Sequence, residues 1–391
     1  MSLSRLLWFA GLIITLAMGI RHSFGLFVPD MSAVLGGGRG IFALALAVQN
    51  LLWGLAQPFA GAWADRVGAR RVLVLGTLCY VAGLLLMATA AAPLSSGALV
   101  GLGLAGTTYG VVFGVVGKVA PPEKRTQAMG ITAAAGSVGQ FIMLPLGQWS
   151  IDTLGWSLTL IVFSALVAAI MPLAIPLRAP VSVRPSQPVG AALKEACRHP
   201  GFLLLCASYG VCGFQVTFVG VHLPAYLADQ GIAPQVGATA LALIGLFNIV
   251  GTWLFGLLGA RRNKARLLSL IYAARALAIT CFVLLPLSPL SSMLFAAAIG
   301  FLWLGTVPLT NGLIAGVFGV EYLSMLGGVV FMAHQVGSFF GVWLGGLLFD
   351  RTGSYGLVWW MSVGLGVAAA FLCLLIREER VPRLAVAGAA A

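Results

Sequence analysis

The chain has 391 residues, of which 60% are hydrophobic and only 8% charged, with 22 Lys and Arg against 10 Asp and Glu. A soluble domain carries about 25% charged residues, so this chain lacks the means to cover a water-facing surface. That excludes a cytosolic enzyme, a secreted domain and a disordered scaffold. A membrane span takes roughly 20 apolar residues, so the length allows about a dozen spans and no extramembrane catalytic domain.

A net charge of +12 would suggest nucleic-acid binding in a soluble protein. Here the basic residues are better read as loop residues of a membrane protein, with no nucleic acid as partner. The six cysteines form no framework: Cys79, Cys206, Cys212, Cys281 and Cys373 lie in apolar runs, and Cys197 lies in a basic segment. None has the spacing of a metal site, and no cofactor is implied. One basic residue, Arg5, precedes an apolar run to Ile20 without a small-residue cleavage site, which predicts a retained first span.

In chain order the apolar runs predict twelve helices, at 6–28, 41–64, 72–91, 96–118, 127–149, 157–177, 201–227, 237–259, 267–285, 292–316, 323–348 and 356–376. Sheet-like alternation is absent, so the expected class is an all-α membrane protein. With the N-terminus inside, every Lys and Arg falls on the inner side except Arg21, Arg39, Arg275 and Arg351. Both termini are therefore expected in the cytoplasm. The longest break, 178–200, contains Pro180, Pro185 and Pro188, and separates an N-terminal six-helix half (1–177) from a C-terminal one (201–376). Within it, 189–199 reads as a short surface helix held by Lys194 and Arg198. Residues 377–391 form a cytoplasmic tail, expected to be disordered after Arg383.

The halves repeat. A gapless offset of 198 residues superposes Asn50 on Asn248, Gly61 on Gly259, Gly130 on Gly328, Gly139 on Gly337, Gly147 on Gly345 and Asp152 on Asp350. Six helices separate equivalents, so the copies run in the same direction. Parallel six-helix repeats are one transporter architecture, with substrate held between the halves near the midplane.

After helix 2 the chain reads Gly61-Ala-Trp-Ala-Asp65-Arg66-Val-Gly68-Ala-Arg70-Arg71. This resembles the G-x-x-x-D-R-x-G-x-R-R loop of the major facilitator superfamily at every marked position. Its glycines permit a tight loop, and its carboxylate can meet a helix N-terminus or an arginine in one conformation and lose it in another. Gly61, Asp65, Arg66, Gly68, Arg70 and Arg71 are thus the expected conformational latch. In the second half the loop reads Gly259-Ala-Arg-Arg-Asn263-Lys264, so Asn replaces the acid and the latch there is expected to be weak or absent.

Glu123-Lys124-Arg125 leading to Ala128, Gly130, Ile131, Ala134 and Gly139 is similar to the helix-5 signature of monocarboxylate porters and oxalate:formate antiporters. Small residues there also let helices pack closely. The acidic signature of the animal porters in helix 1 is missing, as are the helix-4 arginine and helix-5 Gly-Pro of drug antiporters. Helix 11, from Gly328 to Gly341, resembles the same antiporter helix, and His334 stands where that family has a substrate-binding lysine. His334 lies about 16 Å along its helix, a depth at which a titratable group is a functional candidate. The family's helix-8 arginine is replaced by Thr252, after Asn248 and Gly251, which argues against a dicarboxylate.

Arg21 and His22 lie about 22 Å along helix 1, where relatives attract the anion from outside. Arg21 has two readings, a cavity-facing cation or one that snorkels outward. Arg275 reads as structurally partnered or snorkelling inward, and His222 as cavity lining or a cap near Pro224. Asn50, Tyr109, Gln215, Asn248, Trp303, Asn311 and Gln335 complete the candidate pocket, with Asn50 and Asn248 paired by the repeat. No acidic residue falls near the midplane, so a proton-coupled cycle would run through His334, His22 or His222; anion exchange and uniport stay open.

The resemblance implies a monomeric twelve-helix carrier in a bacterial inner membrane that moves a small organic anion, a monocarboxylate first, by alternating access. Its partners would be that solute and the lipid bilayer. His334 would be the main charge partner. The alternatives are a carrier or efflux pump for a neutral or aromatic compound, such as a vitamin or drug, and a transport-incompetent membrane sensor.

Overall fold

In a bilayer no water satisfies a freed peptide group, so an apolar chain of this kind closes its backbone hydrogen bonds within helices. In the computed structural model, which describes residues 2–34, 39–177 and 187–384, helix is the only regular structure among the described residues. Residues 178–186 of the expected linker and 385–391 of the expected tail lie outside them.

The long helices are α1 (Leu3–His22), α2 (Arg39–Val67), α3 (Ala69–Ala88), α4 in two pieces (Pro93–Thr107 and Tyr109–Val119), α5 (Arg125–Leu154) and α6 (Trp156–Ala168, continued by Ile170–Leu173). After a linker helix, Val189–Arg198, come α7 (Pro200–Asp229), α8 (Pro234–Arg261), α9 (Lys264–Leu284), α10 in two pieces (Pro289–Phe301 and Thr306–Phe318), α11 (Leu323–Thr352) and α12 (Gly356–Leu374). Each matches one expected span. Eleven segments among the described residues are long and apolar enough to cross a membrane, and α2 occupies the remaining expected span. Start signals are local: Ser2 caps α1, Asn263 caps α9, and Ser288 with Ser291 forms a capping box before α10.

The chain forms two compact units. The first contains Met1–Pro121, Ile131–Ser186 and Glu321–Gly328; the second contains Pro122–Gly130, Gln187–Val320 and Val329–Ala391. Both are held by seams where one backbone touches another. In the first unit Gly139 of α5 lies on the Thr15 carbonyl of α1, and Thr15 Oγ1 donates to Ala135 O at 2.9 Å. In the second unit Gly337 of α11, the repeat partner of Gly139, lies on the Gly210 carbonyl of α7, and Gly213 lies on the carbonyl of His334. A side chain at these positions would collide with backbone, which cannot move aside.

The repeat is visible in a second pair of seams. Gly130 on α5 faces Gly256 of α8 within the second unit, and Gly328 on α11 faces Pro58 of α2 within the first. Both residues of one contact sit 198 positions from both residues of the other. Close approach of small residues is how helices gain packing energy where lipid offers no hydrophobic drive.

Gly337→Ala is therefore expected to lower stability by about 1–3 kcal/mol through overpacking. Gly364→Ala on α12, where a Cβ meets nothing within 4 Å, should leave it unchanged. Thermal unfolding of the detergent-solubilised protein compares the two, and equal melting temperatures would mean the seam yields.

Candidate functional site

Arg21 occupies the last turn of α1, two residues before a 3-10 turn, Ser23–Phe27. Its Nη2 donates to Asn50 Oδ1 at 2.9 Å, and its guanidinium stands 5.2 Å from the Trp53 ring centre, a cation–π distance. Asn50 and Trp53 lie three residues apart on one face of α2. Asn50 Nδ2 is turned back to Leu46 O at 3.0 Å, which leaves its oxygen for the cation. Tyr80 and Tyr109 are electrostatic neighbours, and Arg21 is half-buried. No carboxylate pairs with it among the described residues, whose ion pairs are Asp65–Lys118, Lys264–Glu378 and Glu195–Arg383.

Tyr109 opens the second piece of α4, and its hydroxyl sits against Gly136 of α5, where a Cβ would strike it. The interruption before it is answered from α2. Trp53 Nε1 donates to Thr108 Oγ1 at 3.0 Å and to Gln57 Oε1 at 3.1 Å, while Gln57 Nε2 donates to Ala105 O at 3.0 Å. His22 donates from Nδ1 to Met18 O, 2.6 Å away on its own helix. That bond commits one of its ring nitrogens to the backbone.

The second unit carries His334, half-buried midway along α11. Its ring lies 5.0 Å from Tyr209 and is stacked at 5.7 Å on Phe331. Nδ1 is 3.2 Å from Gln335 Oε1 and 3.4 Å from Ser338 Oγ, and Cys212 is an electrostatic neighbour of the ring. No backbone carbonyl captures it among these contacts. Its main chain is fixed instead, by the Gly213 seam.

Trp303 sits in the non-helical turn between the pieces of α10. Asn248 is buried, and its Oδ1 accepts from Leu304 N–H and from Thr252 Oγ1, both at 3.0 Å. Gly251 lies on the Phe301 carbonyl. The stretch Asn248–Thr252 thus serves the turn of α10. Asn50 and Asn248 are equivalent in sequence, yet one holds a cation and the other holds backbone.

Of the remaining candidates, Arg275 has a structural partner as expected: Nε and Nη2 donate to Leu302 O at 3.1 and 2.6 Å, Nη2 also reaches Trp303 O, and Nη1 meets Cys212 Sγ at 3.3 Å. His222 donates from Nε2 to Val342 O at 3.1 Å and accepts from the Tyr355 hydroxyl at 3.3 Å, so it is a packed structural histidine. Gln215 donates to Ser362 O at 2.9 Å and Asn311 to Val307 O at 3.0 Å, both structural bonds.

At the loop after α2, Asp65 Oδ1 pairs with Lys118 Nζ at 2.8 Å and Oδ2 accepts from Met325 N–H at 3.0 Å, in the first turn of α11. The carboxylate therefore meets a helix N-terminus, where negative charge is favoured. Its cationic partner is a lysine from the end of α4, which no motif position marked. Burial pushes the Asp65 carboxyl up from its ordinary value, and Lys118 and the Met325 N–H pull it back. Gly61 lies on the Ser324 carbonyl, and Gly68 caps α3 with φ +91°, a conformation that suits glycine. Arg66, Arg70 and Arg71 are exposed. In the second half Asn263 Oδ1 is spent on its own helix, accepting from Arg266 N–H at 2.8 Å. Cys212, Tyr209, Trp53 and Lys118 escaped the sequence reading because each draws its meaning from a residue on another helix.

Asp65→Asn should cost about 2 kcal/mol, somewhat below the ~3–5 kcal/mol of a fully buried pair, because Lys118 can reach water. Lys118→Met added to it should recover part of that loss. A double-mutant cycle on unfolding in detergent reads the coupling, and additive effects would remove the pair from the account.

The comparisons with known proteins agree with this architecture. The chain is 26% identical over 408 residues to an uncharacterized MFS-type transporter, YcxA, of Bacillus subtilis, covering 97% of this chain and 96% of that one. It is 27% identical over 372 residues to monocarboxylate transporter 13 of Rattus norvegicus, covering 91% and 83%. Among solved structures it is similar in fold to the E. coli fucose:proton symporter, with TM-score 0.75, 13% identity and coverage of 97% and 98%. A proton:xylose symporter gives TM-score 0.73 at 14% identity, with 98% of each chain covered. Residues 7–341 match the family model described as Major Facilitator Superfamily, and with its apolar helices and repeated halves the chain belongs to that family of non-enzymatic multi-pass membrane transporters.

Proposed function

We propose that the protein is an alternating-access carrier of small organic anions, monocarboxylates foremost, in a bacterial inner membrane with both termini cytoplasmic. The observation that carries this reading is Arg21: a half-buried guanidinium in an apolar helix, held by an amide oxygen and a tryptophan face, with no carboxylate paired to it among the described residues. A cation inside a membrane is expensive unless something neutralises it. A transported anion does so, and is released when the surroundings change.

His334 supports the same reading from the second unit. Its ring has Tyr209 and Phe331 as aromatic neighbours, and its polar contacts are side chains rather than backbone. One cation of fixed charge and one imidazole suit a single carboxylate better than two, in line with Thr252 at the helix-8 position. The rat relative bears the name monocarboxylate transporter. Tyr109 and Asn50 in the first unit, and Trp303 and Gln335 in the second, are the further polar and aromatic groups of this proposal. His22 contributes less, because one of its ring nitrogens is bonded to Met18 O. The pair of Asp65 with Lys118 and the α11 N-terminus is the proposed latch of the cycle.

Binding to the folded state raises its melting temperature. Lactate, pyruvate and benzoate, screened by thermal shift against lactamide and benzamide, should stabilise the purified protein where the neutral amides do not. Arg21→Gln and His334→Gln should each weaken the effective acid by about tenfold, the worth of one hydrogen bond to a charge. Equal stabilisation by acids and amides, or unchanged affinity in both variants, would overturn the anion reading.

A further inference from the structure

Arg275 lies on α9, is 1% exposed, and belongs to no salt bridge among the described residues. The cost of burying such a charge demands good partners. Those present are the carbonyls of Leu302 and Trp303, freed where α10 stops at Phe301, and the sulfur of Cys212 on α7. A cation at the C-terminal end of a helix also meets the negative end of its dipole. From the other side Asn248 takes the N–H of Leu304. The turn that carries Trp303 is thus clamped by a guanidinium on its carbonyls and by an amide oxygen on its N–H.

The same guanidinium reaches the candidate site. Cys212 touches Arg275 Nη1, lies 3.4 Å from Thr306 Oγ1 at the start of the second piece of α10, and is an electrostatic neighbour of the His334 ring, while the next residue, Gly213, lies on the His334 carbonyl. Four helices meet in this chain of contacts: α9 through Arg275, α7 through Cys212, α10 through the turn, and α11 through His334. Around it stand Tyr272 on α9, whose ring centre is 5.6 Å from the guanidinium, and Tyr209, whose ring is 5.0 Å from His334.

We propose that Arg275 is a positioning residue for transport: through the carbonyls of Leu302 and Trp303 and through the Cys212 sulfur, it fixes both the Trp303 turn and the orientation of the His334 ring. It touches neither the solute nor its carboxylate. Its effect on an anion therefore passes through His334, and this part rests on the anion reading; its effect on the ring does not.

The test uses the full-length protein labelled at histidine, of which there are four, so that ring resonances resolve and His334→Gln assigns one of them. Arg275→Gln and Cys212→Ala should each move the His334 ring resonance and leave that of His222 in place, while Arg275→Lys should move it less. An unmoved His334 resonance in folded Arg275→Gln, or in Cys212→Ala should the former not fold, overturns the proposal without touching the anion reading. For lactate uptake into proteoliposomes, Cys212→Ala should raise KM about tenfold with kcat changed less than about threefold. An equal fall in kcat with KM unchanged would also overturn it. If no acid is transported by the wild type but the resonance moves, the anion reading fails and the positioning role stands.

Discussion

A peptide group freed inside a bilayer has no water to turn to, and the interruptions of α4 and α10 are shaped by that constraint. Each break gives the chain a turn at membrane depth, and each turn must be answered by side chains of neighbouring helices. At α4 the answer comes from Trp53 and Gln57; at α10 it comes from Asn248 and Arg275. Helices so interrupted are where transporters build their sites. The first break is followed at once by Tyr109, and the second contains Trp303.

Charge follows a related rule. The three ion pairs of the described residues join loop and helix-end groups: Asp65 with Lys118, Lys264 with Glu378, and Glu195 with Arg383. Cations deeper in helices have other company. Arg275 rests on carbonyls and a sulfur and is buried, so its charge is spent on architecture. Arg21 has one amide oxygen and an indole face and is half-buried. The two arginines look alike as isolated basic residues in apolar runs; their partners separate them.

The spans and the repeat were legible in the sequence because each depends on local or periodic signals. Twelve apolar runs gave twelve long helices, and the 198-residue offset reappears as the matched contacts Gly130–Gly256 and Gly328–Pro58. In the loop motif, Gly68 takes a positive φ and Asp65 accepts from the Met325 N–H at the start of α11. Lys118 was legible only as one more basic loop residue. The pairing of Asn50 with Asn248 was sound as a repeat and misleading as chemistry, because what each oxygen accepts is set by a different helix.

What the sequence determined by itself is the material and its plan: how many long helices, that the two halves are copies, and which few polar groups fall within apolar runs. Composition and period are properties of a chain before it folds. Tertiary structure alone decided which partners those polar groups meet, since one guanidinium finds two carbonyls and a sulfur and the other an amide oxygen and an indole face. Partners come from helices distant in sequence, and no spacing along the chain records them.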